Sequence, residues 1–433
     1  MIDTELAFSK AFYYYIQAHL AKIENDPNSF SASTKSSLAY LPSTGNEFQK
    51  RSLLTSFASI AKNSFGDYHT AKLFYQKALE LSMNDNKWKV FILNSLGTVL
   101  RFTGEYTEAI RYLEESCVIS QQFDNSWYLE FAYNMLGMVY TLIGDLEKAE
   151  DFFQKSLSLA YENENYIGIG YTYGSLGWRA AINGDLEEAN QFYSNAIESF
   201  KKYSRPPAII LLAQAEILAR IDDESIPQKN ELLIQAKSQI WERKSSLDKG
   251  RYFVTLGNIA LYQNDLLMAE SEYKKALDIA KTHEVKSQGL LGLIKVNLNQ
   301  FLKNDDDEVL KTLKSLIDEL KLITKERSSV LWSEMELISS LIFIYEGKFE
   351  IAEQKLEQLQ KYSIDKSFKD LQLRIKKHQR TLHIFQTHSR LETDANVMND
   401  QQNLKKRSLN DVLEYLKSIT HLLSSFDSDS IQK

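Results

Sequence analysis

Residues 134–153 read NMLGMVYTLIGDLEKAEDFF, and this stretch decides the fold. Its first half is apolar, with a small residue, Gly137, directly after Leu136. Its middle is a break, Gly144-Asp145. Its second half places Ala149 five residues after the break glycine and Phe153 four residues further. Glycine inside a helix costs roughly 1 kcal/mol relative to alanine, so Gly137 points to a place where a second helix must come close. Gly144 stands where a helix ends, because glycine adopts the left-handed C-terminal conformation cheaply. Asp145 suits the cap of the helix that follows. The stretch therefore describes two helices joined by a tight turn and packed through small residues.

The same phrase recurs outward in both directions. Gly66-Asp67 is followed by Ala71 and Tyr75, Gly104-Glu105 by Ala109 and Leu113, and Gly184-Asp185 by Ala189 and Tyr193. Asn264-Asp265 is followed by Ala269 and Tyr273, and Gly347-Lys348 by Ala352 and Leu356. Leu96-Gly97, Leu176-Gly177 and Leu256-Gly257 repeat Leu136-Gly137 upstream of their turns. The turns at 66, 104, 144, 184, 264 and 347 are separated by 38, 40, 40, 80 and 83 residues. The two long gaps are about twice the short ones, which places degenerate units near 224 and 304, at Asp222-Asp223-Glu224 and Asn304-Asp305-Asp306. About eight units then cover residues 46–362. Pro206-Pro207 fits the first turn of a helix opening the fifth unit.

Composition agrees with an all-α chain. Of 433 residues only 16 are Gly and 5 Pro, too few for a sandwich that turns every 8–12 residues. A hydrophobic share of 43% and a net charge of −7 exclude a disordered chain. That charge supplies no general attraction for nucleic acid. No uncharged apolar run is long enough to span a bilayer, so no membrane association is expected. Cys117 is the single cysteine, which excludes an internal disulfide framework and fits a reducing, cytoplasmic compartment. The acidic start, Met1-Ile2-Asp3-Thr4-Glu5, lacks the basic region of a secretory leader.

The pattern Leu-Gly-x-x-Tyr, then Gly-Asp, then Ala-x-x-x-Phe resembles the tetratricopeptide signature. The resemblance implies an α-α superhelix, a right-handed stack of two-helix units. The period exceeds the usual ~34 residues by about six, which implies helices about one turn longer. HEAT repeats share the longer period but lack the phrase. The array is similar to the long-helix kinesin light chain and Pins-type scaffolds, and to Rap-type and maltose-regulator-type sensor arrays.

Outside the array, residues 1–45 read as an N-terminal cap, a helix over 3–24 followed by a Ser-rich loop over 26–45 with Pro27 and Pro42. The first helix carries apolar Leu6, Ala7, Phe12, Tyr13, Ile16 and Leu20. Residues 363–387 read as a closing helix, 388–408 as a polar linker, and 409–433 as an amphipathic helix with a tail.

Chemistry is sparse. His378, His383 and His388 are spaced by five, off any common helical face, and no cysteine cluster joins them, so no metal site is expected. There is no phosphate loop, dinucleotide fingerprint or nucleophile elbow. The chain therefore reads as a non-enzyme without cofactors. The resemblance directs attention to the first helix of each unit, which lines the concave face in such stacks. Offsets from the Leu-Gly pairs place Phe91, Asn94, Thr98 and Arg101 beside Phe131, Asn134, Met138 and Thr141 on that face. Tyr171, Trp178, Arg251 and Asn258 continue it. Asn94 and Asn134 match the asparagines that grip a peptide backbone in the long-helix scaffolds, a task suited to a side chain that both donates and accepts. The ladder lapses at Gly174 and Val254. An equally open reading is that such asparagines bond a neighbouring unit's backbone and that Phe91, Phe131 and Trp178 are core. The expected function is an interaction scaffold holding a peptide of a protein partner on the concave face. The alternative is a regulatory sensor of a peptide or small ligand.

Overall fold

The computed structural model describes residues 4–365 except 25, 42–45, 83–84, 124, 144, 184, 222–225, 244–245, 281–282, 305 and 325–328, together with eight positions between 372 and 386. Every regular element among the described residues is a helix. A hairpin of α1 (Thr4–Glu24) and α2 (Pro27–Tyr40) comes first. Eight pairs follow: α3 (Glu47–Phe65) with α4 (Tyr68–Glu80), α5 (Asn86–Thr103) with α6 (Tyr106–Gln122), α7 (Ser126–Leu142) with α8 (Leu146–Glu162), and α9 (Tyr166–Asn183) with α10 (Leu186–Lys201). The series continues with α11 (Ala208–Ile221) and α12 (Ile226–Arg243), α13 (Ser246–Tyr262) and α14 (Leu266–Ile279), α15 (His283–Asn304) and α16 (Asp307–Thr324), and α17 (Ser329–Tyr345) and α18 (Phe349–Asp365). The molecule is an all-α helical repeat solenoid. The degenerate turns near 224 and 304 fall between α11 and α12 and between α15 and α16.

Local chemistry explains the pairs. Gly66 and Gly104 end their helices in the left-handed conformation at φ 61° and 76°, and Asn264 takes the same role at φ 58°. Gly144 and Gly184, which the sequence assigns to equivalent turns, lie outside the described residues. Asp67, Asp145 and Asp265 cap the following helices by accepting from the backbone N–H three residues on, at 2.9–3.4 Å. The helix-interior glycines mark close approach. A Cβ on Gly97 would sit 2.5 Å from Leu113, one on Gly137 2.6 Å from Phe153, and one on Gly257 2.6 Å from Tyr273. Ala71, Ala109, Ala149, Ala189, Ala269 and Ala352 on the second helices have no exposed surface. Small residues thus let each pair interlock around one bulky side chain.

Two expectations are corrected. The Ser-rich stretch after Asp26 is not a loop but α2. Asp26 caps it, accepting from Asn28 and Ser29 N–H, and Pro27 occupies its first turn. Ser37 donates to the Ala11 carbonyl at 2.9 Å, joining α2 to α1. Within the expected first helix, α1 buries its alanines, Ala7, Ala11, Ala18 and Ala21, and leaves Leu6, Phe12, Tyr13, Ile16 and Leu20 exposed. Second, Pro206 and Pro207 precede α11 rather than entering it, and the Pro207 carbonyl accepts from Ile210 N–H. Toward the C-terminus, the described positions from Gln372 to Gln386 are helical, with Ile375 and Leu382 buried. The polar linker and the amphipathic helix assigned to 388–433 lie outside the described residues.

Consecutive odd-numbered helices touch along much of the stack: α5 meets α7, α7 meets α9, α11 meets α13, and α13 meets α15. The even-numbered helices pack mainly against the odd ones. In a curved stack the crowded layer lies on the inside, so the odd helices form the inner wall.

Candidate functional site

The inner wall holds a cleft between α7 and α9. It is lined by Trp127, Glu130, Phe131 and Asn134 from α7, and by Asn165, Gly168, Tyr171 and Thr172 at the start of α9. Positions 127, 130, 131 and 134 share one face of α7 by helical spacing. Asn125 caps α7 by accepting from Tyr128 N–H at 3.4 Å. Asn165 caps α9 by accepting from Gly168 N–H at 3.1 Å. The Asn165 Nδ2 reaches back to Glu130 Oε2 at 2.9 Å, so the cap of one unit is tied to the wall of the previous one.

Two features give this cleft polarity. Glu130 is only 5% exposed, and burial pushes its carboxyl up to about 7 against the Asn165 hydrogen bond. Asn134 is also buried, and its Oδ1 has no hydrogen-bond partner. A buried acceptor left unpaired costs about 1–3 kcal/mol, so this atom is primed for a donor. Trp127 stays half-exposed at the rim, and Tyr171 stands edge-on to Phe200 with centroids 5.0 Å apart. The Ser156 hydroxyl connects the Glu130 carbonyl at 3.1 Å with Thr172 at 2.9 Å, fixing both inner helices onto α8.

The sequence-predicted residues divide into three groups. Phe131, Asn134 and Tyr171 meet in the cleft. Asn94 bonds a neighbouring unit, donating from Nδ2 to the Tyr128 carbonyl at 3.1 Å, while its Oδ1 has no hydrogen-bond partner. Half-buried Phe91 packs edge-on to Tyr75 and Trp88, with centroids 6.5 and 5.8 Å away. Arg251 lies 3.7 Å from Asp248 on its own helix. Three of the rest require correction as wall contacts. Thr98, Met138 and Trp178 have no exposed surface, so a ligand on the wall cannot reach them. Arg101 and Thr141, at most 5% exposed, are as enclosed as Asn94 and Asn134, and the Thr141 hydroxyl is spent on the Gly137 carbonyl at 2.9 Å.

Asn258 is likewise spent inside. Its Nδ2 donates to Glu216 Oε2 at 3.1 Å, and its Oδ1 accepts from the Tyr273 hydroxyl at 2.7 Å. Glu216 on α11 and Lys295 on α15 complete a buried polar cluster with Arg220 nearby. Burial pulls the Lys295 ammonium down to about 7 although Glu216 opposes this, and burial raises the Glu216 carboxyl.

Sequence reasoning missed Trp127, Glu130, Asn165, Gly168 and Thr172. The available signal was Glu130 itself, a carboxylate at the position where α5 carries Val90. Among the described residues no group of three or more His, Cys, Asp or Glu side chains is placed to hold a metal. No described helix is long and apolar enough to cross a membrane.

Family models described as tetratricopeptide repeat match residues 92–122, 128–202 and 250–283. No curated protein matches the chain. Among solved structures it is similar to a Rap protein complexed with Competence and Sporulation Factor, at 13% identity and a TM-score of 0.54, over 74% of this chain and 88% of that one. It is also similar to yeast Tom70, at 17% identity and a TM-score of 0.47, over 72% and 58% of the two chains. A third similarity is to NprR in complex with its cognate peptide NprX, at 12% identity and a TM-score of 0.42, over 85% and 97%.

Proposed function

From the premise that the chain is a tetratricopeptide-repeat protein, we propose that it is a non-catalytic, cytoplasmic adaptor that holds a peptide segment of a protein partner along its inner wall. The observation that carries this reading is the pair of buried, unbonded acceptors Asn94 Oδ1 and Asn134 Oδ1 at equivalent positions of adjacent inner helices. Both oxygens are enclosed, so an extended chain whose backbone N–H groups satisfy them has to displace the side chains that cover them. Half-buried Phe91 and Phe131 lie one turn before the two asparagines and supply apolar contact on the same path. The cleft between α7 and α9 is the anchor.

The test is affinity purification of wild type beside the double variant Asn94→Ala, Asn134→Ala, with mass-spectrometric comparison of the partners. Partners retained by wild type and lost by the variant, at an unchanged thermal midpoint, support the reading. Equal recovery removes these asparagines from the site.

A second reading, a regulatory sensor whose superhelix changes on binding, is favoured by the buried Glu216–Asn258–Lys295 cluster. Charged groups on α11 and α15, bridged by the Asn258 amide of α13, make the relative placement of these units costly to hold and sensitive to displacement. The Rap protein similar in fold was solved with a bound factor. Small-angle scattering that changes on adding a filtered cell extract supports the sensor, and an invariant curve counts against it.

A further inference from the structure

The joints between inner helices repeat one contact, and the third joint departs from it. The caps of α3, α5, α7 and α9 are Asn46, Asp85, Asn125 and Asn165. The fifth residue after one cap meets the third residue after the next. At the first joint, Arg51 lies 5.2 Å from the Trp88 ring centre and pairs with Asp85 at 2.7 Å. At the second joint, Val90 belongs to a buried cluster against which Tyr128 packs. At the third joint the residues are Glu130 and Gly168, so the aromatic that fills the joint twice before is missing. A Cβ at Gly168 would lie 1.6 Å from Glu130 Oε1, so the carboxylate occupies the space the side chain gave up.

This substitution is not needed for packing, since Val90 with Tyr128 closes the preceding joint without a charge. Arg51 at the first joint has a counterion in Asp85. Glu130 has the neutral Asn165 amide, and burial of its carboxyl is opposed by that hydrogen bond alone. Beside it the cleft is lined by Asn134, whose enclosed Oδ1 has no hydrogen-bond partner, and by three aromatic side chains. An anionic ligand would meet a carboxylate there, and an apolar one would leave the acceptor unpaired. A cation with several N–H donors supplies what both groups lack, and aromatic side chains attract cations.

We propose that the cleft is a subsite for an organic cation, the ammonium or guanidinium group of a peptide, paired with Glu130 and donating to Asn134 Oδ1 among Trp127, Phe131 and Tyr171. The assignment of the cation to a peptide rests on the adaptor reading; the recognition of the cation does not.

The experiment uses the full chain labelled with 5-fluorotryptophan, with the Trp127 fluorine resonance assigned by Trp127→Phe. n-Butylguanidinium and n-butylammonium are titrated, with n-pentanol as the neutral control. The cations should shift the Trp127 resonance saturably and n-pentanol should not. Glu130→Gln should weaken cation binding at least about tenfold. Glu130→Val with Gly168→Tyr copies the Val90–Tyr128 joint and should abolish it with the helical circular dichroism retained. Equal binding of n-pentanol, or undiminished cation binding by Glu130→Gln, overturns the proposal whatever the double variant does.

Peptide arms then identify the source of the cation. Binding by acetylated, amidated Ala-Arg-Ala or Ala-Lys-Ala assigns a side chain, and binding by unblocked Ala-Ala-Ala amide assigns an amino terminus. No binding by any of the three overturns the assignment to a peptide. The titrations need no partner, so they can fail while partner recovery still depends on Asn94 and Asn134, and the reverse.

Discussion

Replacing Glu130 by Gln should make the joint between α7 and α9 more stable at neutral and alkaline pH while leaving it unchanged in acid. Burial moves the Glu130 carboxyl from an ordinary 4.5 up to about 7. Between those two values the folded chain keeps a proton that the unfolded chain has released. The group's contribution to stability is therefore full below pH 4.5 and is lost as pH rises to about 7. The loss is about 1.4 kcal/mol per pH unit, or about 3 kcal/mol over the window. Glutamine has no proton to lose, and its carbonyl can still accept from Asn165 Nδ2, which lies 2.9 Å from the Glu130 oxygen. The variant and wild type should thus open with equal free energy near pH 4.5. By pH 8 the variant should be harder to open by up to about 3 kcal/mol. Amide hydrogen exchange over α7 and α9 is the suitable assay, because a repeat array need not unfold in one transition and local opening is what the joint controls. Contributions from other titrating groups, Lys295 among them, cancel in the difference. A variant-minus-wild-type difference that stays constant from pH 5 to pH 8 would refute the reasoning, as would a wild type more stable at pH 8.

Trp178→Ala should cost about 3–5 kcal/mol, measured as a lost or strongly lowered unfolding midpoint, because the indole has no exposed surface; a change under 1 kcal/mol would place the side chain on the wall after all. Asp26→Ala should cost about 1 kcal/mol, read as faster exchange in α2, since it removes the cap that Asn28 and Ser29 N–H use. Cys117 should resist iodoacetamide in the native chain and react promptly in urea, because burial pushes its thiol up to about 12; rapid native labelling at pH 8 would contradict the packing of α6.

The stack was legible because its information is local and repeated. Leu-Gly, the turn and the alanine each report a contact within one pair, and the pair recurs. The helix α2 was hidden although its signals were present. Asp26 and Pro27 are start residues, and Phe30, Thr34, Ser37 and Leu41 fall at helical spacing and are all buried. Two of those four are polar, so the stripe does not read as a core face, and the serines around it read as a loop. The wall residues failed in a regular way. Thr98, Met138, Trp178 and Asn258 each follow the packing glycine directly, and all four are buried. Composition fixes which face of a helix packs on its partner in the same pair. It does not fix how far that helix is rotated toward the next unit, and that rotation decides whether this position faces outward or into the joint. Phe131 and Asn134, six and three residues before the packing glycine, share a face of α7 with Trp127 and Glu130 and so line the cleft against the start of α9.

The unequal layering of the solenoid has a mechanical consequence. Inner helices press on one another from unit to unit, while outer helices lean mainly on their own inner partners and on the next inner helix. The inner row is then the line about which units rock, and the outer edge carries the slack. Bending such a rod opens or closes gaps on its convex side at small cost, while stretching its inner seam breaks packed contacts. Anything clamped across α7 and α9 sits on that seam, where a few bonds stiffen the curvature of the whole rod more than the same bonds would anywhere else on its surface.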